Sequence, residues 1–316
     1  MPPPTLACTL FFASVAAVSA CGCCETRGGA LSSCAACPSS TTQLHLDNCG
    51  LTSILPGAFA SPRLARVAAL DLSNNGLSSL SAGAFEGLAG LTLLDLSSNS
   101  LTVVAPGAVS GEVTPLLASL DLGFNELPAV PPLLAPNLTS LSLYWNPIGN
   151  FSDASFAGVP RLQYLDANNC GLSSVSPAAF APLTALTTLN VGHNTLTELP
   201  EGGWRGPSKL TTLALQANSL AALPPHFLDA FPLLESLPLY ENNLTALAPG
   251  TFAALSNLAG LYLNDNNIST LHAGCFAGLS GGRFQYLSLT NNALSPAACN
   301  GNFAAVAAIP SACFSA

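Results

Sequence analysis

The sequence predicts an α/β solenoid: one shared core, a parallel β-sheet on one face, and loops or short helical segments on the other. Three observations carry this. Of 316 residues, 49% are hydrophobic and only 7% charged, with a formal net charge of −9, whereas an ordinary soluble domain has roughly 25% charged residues. No apolar run reaches the ~18 uninterrupted residues of a spanning helix. One phrase, Leu-x-x-Leu-x-Leu-x-x-Asn-x-Leu, recurs in register along most of the chain.

The composition excludes several classes. Disordered chains are poor in apolar residues, and coiled coils are rich in Glu, Lys and Arg. Seven basic residues against sixteen acidic ones argue against nucleic-acid binding, which needs clustered Lys and Arg. The long uncharged runs Leu127–Ser152 and Phe284–Ala316 are broken by prolines and asparagines, so no transmembrane span is expected. The best apolar stretch, Leu6–Val18, is too short to span and ends in Val18-Ser19-Ala20. Residues 1–20 therefore read as a secretory signal peptide, although the n-region lacks Lys and Arg. Val18-Ser19-Ala20-Cys21 also fits a bacterial lipobox with Cys21 lipidated.

The Asn/Cys position of the phrase falls on Cys49, Asn75, Asn99, Asn125, Asn146, Cys170, Asn194, Asn218, Asn242, Asn266 and Asn292, at spacings between 21 and 26 residues. Self-similarity at this period is the signature of a repeat array. In Leu70-Asp71-Leu72 the leucines alternate inward and Asp71 outward, as a strand requires. Leu77 and Leu80 fill the next layer, and Phe85 and Leu88 close the convex side. The repeated Asn is buried, so its amide must be hydrogen-bonded. A single repeat cannot bury its own face, which explains both the apolar composition and the need for caps.

On these residues the chain resembles the leucine-rich repeat family over roughly residues 41–298. The 24-residue units and segments such as Pro56-Gly57-Ala58-Phe59 and Pro249-Gly250-Thr251-Phe252 are similar to the typical subclass common in extracellular proteins. The resemblance implies a curved horseshoe with the sheet concave and about eleven repeats. It also implies that the Asn side chains bond backbone of their own and the neighbouring turn. Cys49 and Cys170 at that position read as reduced, structural thiols.

Cys21, Cys23, Cys24, Cys34 and Cys37 crowd before the first strand. Residues 21–40 resemble the cysteine-rich N-terminal cap of extracellular relatives, with Cys49 as a possible additional partner. Their connectivity is not readable from sequence. Zinc at Cys34-x-x-Cys37 is an alternative to disulfides. Residues 299–316 form a C-terminal cap or tail in which Cys299 and Cys313 are candidates to pair. Cys275 is expected to pack on the convex side.

The central outward position of each strand reads His45, Asp71, Asp95, Asp121, Ser142, Asp166, Asn190, Ala214, Pro238, Tyr262 and Ser288. Asp71, Asp95 and Asp121 form a like-charged row, either merely solvated or attractive to a basic peptide or a cation. Phe124, Tyr144, Trp145 and Tyr164 come from three successive repeats. Tyr240, Tyr262 and Tyr286 form a second aromatic group. Exposed aromatics anchor interfaces, though such rings also pack along neighbouring strands. Repeat four, Leu127 to Pro136, lacks the Phe segment, so the convex side is expected to thin there. Pro238 sits mid-strand and should remove one ladder donor. Glycosylation sequons occur at Asn137, Asn150, Asn243 and Asn267.

Gly278-Leu279-Ser280-Gly281-Gly282 matches the Gly-x-Ser-x-Gly pattern, but it lies in a convex repeat loop without the strand–turn–helix that a nucleophile elbow needs. His45, His193, His226 and His272 lie in four different repeats without ligand spacing, and no phosphate-cradling loop occurs. The expectation is a secreted, non-catalytic protein without metal or cofactor. It would recognise an extracellular protein, peptide or carbohydrate through the concave face. A matrix or wall protein, a receptor ectodomain and a lipid-anchored surface protein are the alternatives.

Overall fold

The computed structural model describes residues 22–279 and 283–295. Eleven three-residue strands, from Gln43–His45 to Tyr286–Ser288, form one sheet in strict chain order. The first seven share one parallel register: Leu44, Leu70, Leu94, Leu120, Leu141, Leu165 and Leu189 pair in one row. All seven are buried. Beside them His45, Asp71, Asp95, Asp121, Ser142, Asp166 and Asn190 pair in a second, outward row. Repeat length varies without disturbing this register, so the surplus or deficit residues lie outside the sheet.

The asparagine ladder is present. Asn75 Oδ1 accepts the N–H groups of Cys49 and Leu51, while Nδ2 donates to the carbonyls of Leu46 and Leu72. Asn99, Asn125, Asn146, Asn194, Asn218, Asn242, Asn266 and Asn292 likewise each donate to the carbonyls of two successive repeats. The residue before each ladder position has a positive φ near 50°, from Asn48 to Asn291. This left-handed residue turns the chain from the strand into the loop and aims the amide inward.

The convex side consists of turns, short parallel strand pairs such as Ser79–Leu80 with Val103–Val104, and two 3-10 turns, Pro62–Leu64 and Leu228–Ala230. No α-helix occurs among the described residues. Aromatic rings stack along this side. Phe59 meets Phe85 at 6.3 Å, Phe156, Phe180, Trp204 and Phe227 follow in contact, and Phe252 meets Phe276 at 6.2 Å. The run is interrupted at repeats three and four, where Val109 and Leu133 are buried instead. Repeat four touches its neighbour there through a single bridge, Ser110 to Leu134. Two residues beyond the ring, a glycine lets successive repeats close up: a Cβ at Gly158 would lie 1.8 Å from the Leu133 carbonyl oxygen, and one at Gly278 2.6 Å from that of Ala253. Gly278 therefore has a packing reason to be glycine; Ser280 lies outside the described residues.

Pro238 behaves as expected. Between Thr212–Ala214 and Ser236–Pro238 only Thr212 and Ser236 remain in register, although the Pro238 carbonyl still accepts from Leu215 N–H.

At the N-terminal end Glu25–Arg27 and Ala30–Ser33 form an antiparallel hairpin whose second strand pairs with Ser53–Ile54 of the first repeat. Leu31, Cys34 and Cys37 are fully buried against the first layer. Cys23 pairs with Cys37, and Cys24 with Cys34. Cys34 and Cys37 thus go to different partners and offer no thiolate to a zinc ion. One expectation is corrected: Cys49 is disulfide-bonded, not reduced. It is half-buried in the first repeat, where no earlier repeat covers its sulfur and the oxidised cap adjoins it. Cys170, within the array, is free and buried, and its thiol donates to the Leu143 carbonyl at 3.2 Å. Burial pushes that thiol up to about 12, so it stays protonated. Cys275 is also free and buried, pushed up to about 11 by the same cause. Cys21, Cys299, Cys313 and residues 1–20 lie outside the described residues.

Candidate functional site

The site is built on the outward row where short repeat four enters the sheet. Ser142 pairs with Asp121 on one side and Asp166 on the other, so two carboxylates flank a small side chain at a strand spacing of about 4.8 Å each. Asp95 and Asp71 continue the row. These carboxylates are more than solvated. Each accepts the backbone N–H two residues on: Ser73 for Asp71, Ser97 for Asp95, Gly123 for Asp121 and Asn168 for Asp166, at 2.8–3.0 Å. This local bond holds the carboxylate at the strand end and fixes the turn that follows. Asn190 bonds Gly192 in the same way.

Electrostatically the row is uncompensated. No Lys or Arg occupies its eleven positions. Among the described residues, only the His45–Asp71 contact at 4.0 Å sets a basic group against it. Burial, then the Asp95 and Asp166 charges, hold the Asp121 carboxyl at about 7, while its bond from Gly123 opposes the rise. Asp95 and Asp166 are also raised, chiefly by burial. At the N-terminal end, donor atoms of His45, Asp47 and Asp71 lie within 4.8 Å of one another.

Three aromatic side chains meet beside this row. Phe124 contacts Tyr144 edge-on at 5.2 Å and stacks with Trp145 at 5.6 Å and 12°. Tyr144 lies across Gly123, where a Cβ would be 2.3 Å from its Cε1. Its hydroxyl is pushed up to about 12 by burial and the Asp121, Asp95 and Asp166 charges, so it remains a neutral donor. Phe124 and Trp145 are 48% and 53% exposed, large values for rings on a folded surface. Both sit at the left-handed turn position, φ 51° and 55°, where a bulky residue costs about 1 kcal/mol relative to Asn or Gly. Trp145→Asn should therefore raise the unfolding free energy by about 0.5 kcal/mol, measurable by urea titration. A loss of stability would mean that the ring is structural.

The Tyr164 hydroxyl donates to Asp166 Oδ2 at 3.3 Å. In the second group Tyr262 and Tyr286 pack at 4.9 Å, and Tyr240 is raised by burial and the Glu241 charge. Gly123 and Gln216 escaped sequence reading, and Ser142 was read only as a row position. Gln216 lies over Gly192, two repeats beyond Asp166, and its buried Oε1 has no donor. A small residue two positions after the row, opposite a large one in the adjacent repeat, is the signal that would have located Gly123. Asn137, Asn150, Asn243 and Asn267 are all exposed. No helix among the described residues is long and apolar enough to cross a membrane.

A leucine-rich repeat family model matches residues 39–101, 65–127, 165–220 and 232–294. No curated protein matches the sequence significantly. Among solved structures, a leucine-rich repeat protein of Leptospira interrogans is 26% identical with a TM-score of 0.67, over 81% of this chain and 68% of that one. A TLR13–ssRNA13 complex is 19% identical with a TM-score of 0.39, over 81% and 60%.

Proposed function

Because the chain belongs to the leucine-rich repeat family, whose repeats bind proteins, we propose that it is a secreted, non-catalytic recognition protein that takes an extracellular protein or peptide on its concave face. The exposed Phe124–Trp145 stack carries this reading. Every repeat has a left-handed residue at this position, but only here do two successive repeats fill it with large exposed rings that stack on each other. Rigid aromatics bury large area at low entropic cost, which suits an interface centre. The oxidised cysteine cap supports an oxidising compartment, with residues 1–20 as the export signal. A mature N-terminus beginning at residue 21 in protein recovered from the medium would bear on export; retention inside the cell would refute it.

The test is affinity capture of partners from extracellular material by the full chain, with a Tyr144→Ala/Trp145→Ala double variant as control. The double variant should lose at least tenfold in affinity for the captured partner, consistent with the ~1.4 kcal/mol or more lost at interface anchors. Unchanged binding by a folded double variant would move the site elsewhere.

A further inference from the structure

We infer that the protein segment bound at Phe124, Tyr144 and Trp145 presents an arginine to the space between the ring cluster and the Asp121–Asp166 pair. This rests on the concave face being the binding face.

Two independent features converge on it. The first is an exposed flat aromatic stack, which a ligand must cover if it docks there. The second is charge. Asp95, Asp121 and Asp166 stand in one row without a Lys or Arg among the row positions. A neutral or acidic ligand would strip water from these carboxylates without replacing it, a cost that grows steeply for unpaired charge. A cation offsets it. Tyr144 joins the two halves, since its ring touches Phe124 and its hydroxyl lies in the field of all three carboxylates.

The geometry favours guanidinium over ammonium. Arginine is planar and weakly hydrated, stacks on aromatic faces, and presents five donors in a fork that serves two acceptors together. Asp121 and Asp166 lie about 10 Å apart across Ser142, two strand spacings. That spread exceeds what one guanidinium bridges, so the fork pairs with one carboxylate while the other adds to the field, and the flat face stays free to stack on the rings. Each aspartate has one oxygen engaged by its own turn, and the second oxygen of Asp166 takes the Tyr164 hydroxyl, which an arginine would share or displace. Phe124 and Trp145 supply stacking and cation–π attraction.

The probe is an acetylated, amidated Gly-Arg-Gly peptide, with lysine and citrulline counterparts, titrated into the full chain. Indole emission and calorimetry follow binding. The chain has two tryptophans; Trp204 is buried in the aromatic run, so a change in emission reports Trp145. Saturable arginine binding is expected, weaker by roughly threefold for lysine and by about tenfold or more for citrulline, which keeps the shape and loses the charge. Asp121→Asn/Asp166→Asn should weaken the arginine peptide about tenfold without lowering the melting temperature, because Asn keeps the turn-closing oxygen.

Equal binding of citrulline, no saturable binding of the arginine peptide, or wild-type affinity in the double Asn variant would each overturn the inference. If a captured partner still depends on Tyr144 and Trp145 while the arginine peptide fails, the concave-face reading survives and the arginine assignment falls. If both fail, both fall.

Discussion

Asn146→Ala is expected to lower the unfolding free energy by about 2 kcal/mol. The Asn146 side chain is 2% exposed. It accepts from Leu127 N–H and donates to the carbonyls of Leu122 and Leu143. Alanine would leave the buried Leu127 N–H without its acceptor, a cost of about 1–3 kcal/mol, while the Leu122 carbonyl keeps Asn125 Nδ2 and the Leu143 carbonyl keeps the Cys170 thiol. The neighbouring repeat supplies a control. Cys170 holds the equivalent position with one thiol donor to the Leu143 carbonyl, so Asn146→Cys should lose less than Asn146→Ala. Urea titration followed by circular dichroism would measure both. A loss below about 1 kcal/mol for alanine would show that repeat four relaxes enough to satisfy its own backbone. The position matters for function as well, because Trp145 precedes it and depends on the same turn.

Asp121→Asn is expected to do the opposite. It should raise stability at pH 8 by about 1–2 kcal/mol, the unscreened shift being discounted because the carboxylate is only half-buried. The sign follows from the two states. Folding lifts the carboxyl from its ordinary 3.8 to about 7, chiefly by burial. Between those values the folded protein binds more protons than the unfolded chain, so wild-type stability falls as pH rises from about 4 to about 7 and is flat above. Asn cannot ionise, and its side-chain oxygen still accepts the Gly123 N–H. The advantage of the variant should be near zero at pH 4 and complete by pH 8. Melting temperatures across that range would show it. A pH-independent difference would assign the gain to packing. Asp95 and Asp166 are raised in the same direction, so ionisation of these two opposes folding with the same sign as that of Asp121.

Much of the fold was legible because each repeat states its own constraints. Leu-x-Leu with Asp between declares an alternation that only a strand fulfils. The ladder asparagine follows from burial, since an amide inside the array must bond backbone. The Pro238 gap follows from covalent chemistry, because a residue without N–H cannot donate. Cys49 reads both as a motif thiol and as a partner of the cap, and position decides: its motif is the same as that of Cys170, but it stands in the end repeat beside an oxidised cap and is disulfide-bonded. Whether a motif cysteine is a buried thiol or a bridge depends on what covers it, which a repeat pattern does not encode.

The site was legible only as a list of residues. Phe124, Tyr144, Trp145 and Tyr164 were visible as aromatics in neighbouring repeats; that Phe124 meets Tyr144 and Trp145, and that the Tyr164 hydroxyl reaches Asp166, was not. The sequence by itself determined the period, the row of inward leucines, the row of outward aspartates and the single-signed charge of that row. These follow from spacing, because the strands pair in register whatever lies between them. The tertiary structure decided which rings meet, that Gly123 opens room for Tyr144, and that burial rather than charge density alone raises Asp121. Those outcomes depend on distances across strands from different repeats, which are fixed only when the left-handed turns and the short fourth repeat set where each side chain lands.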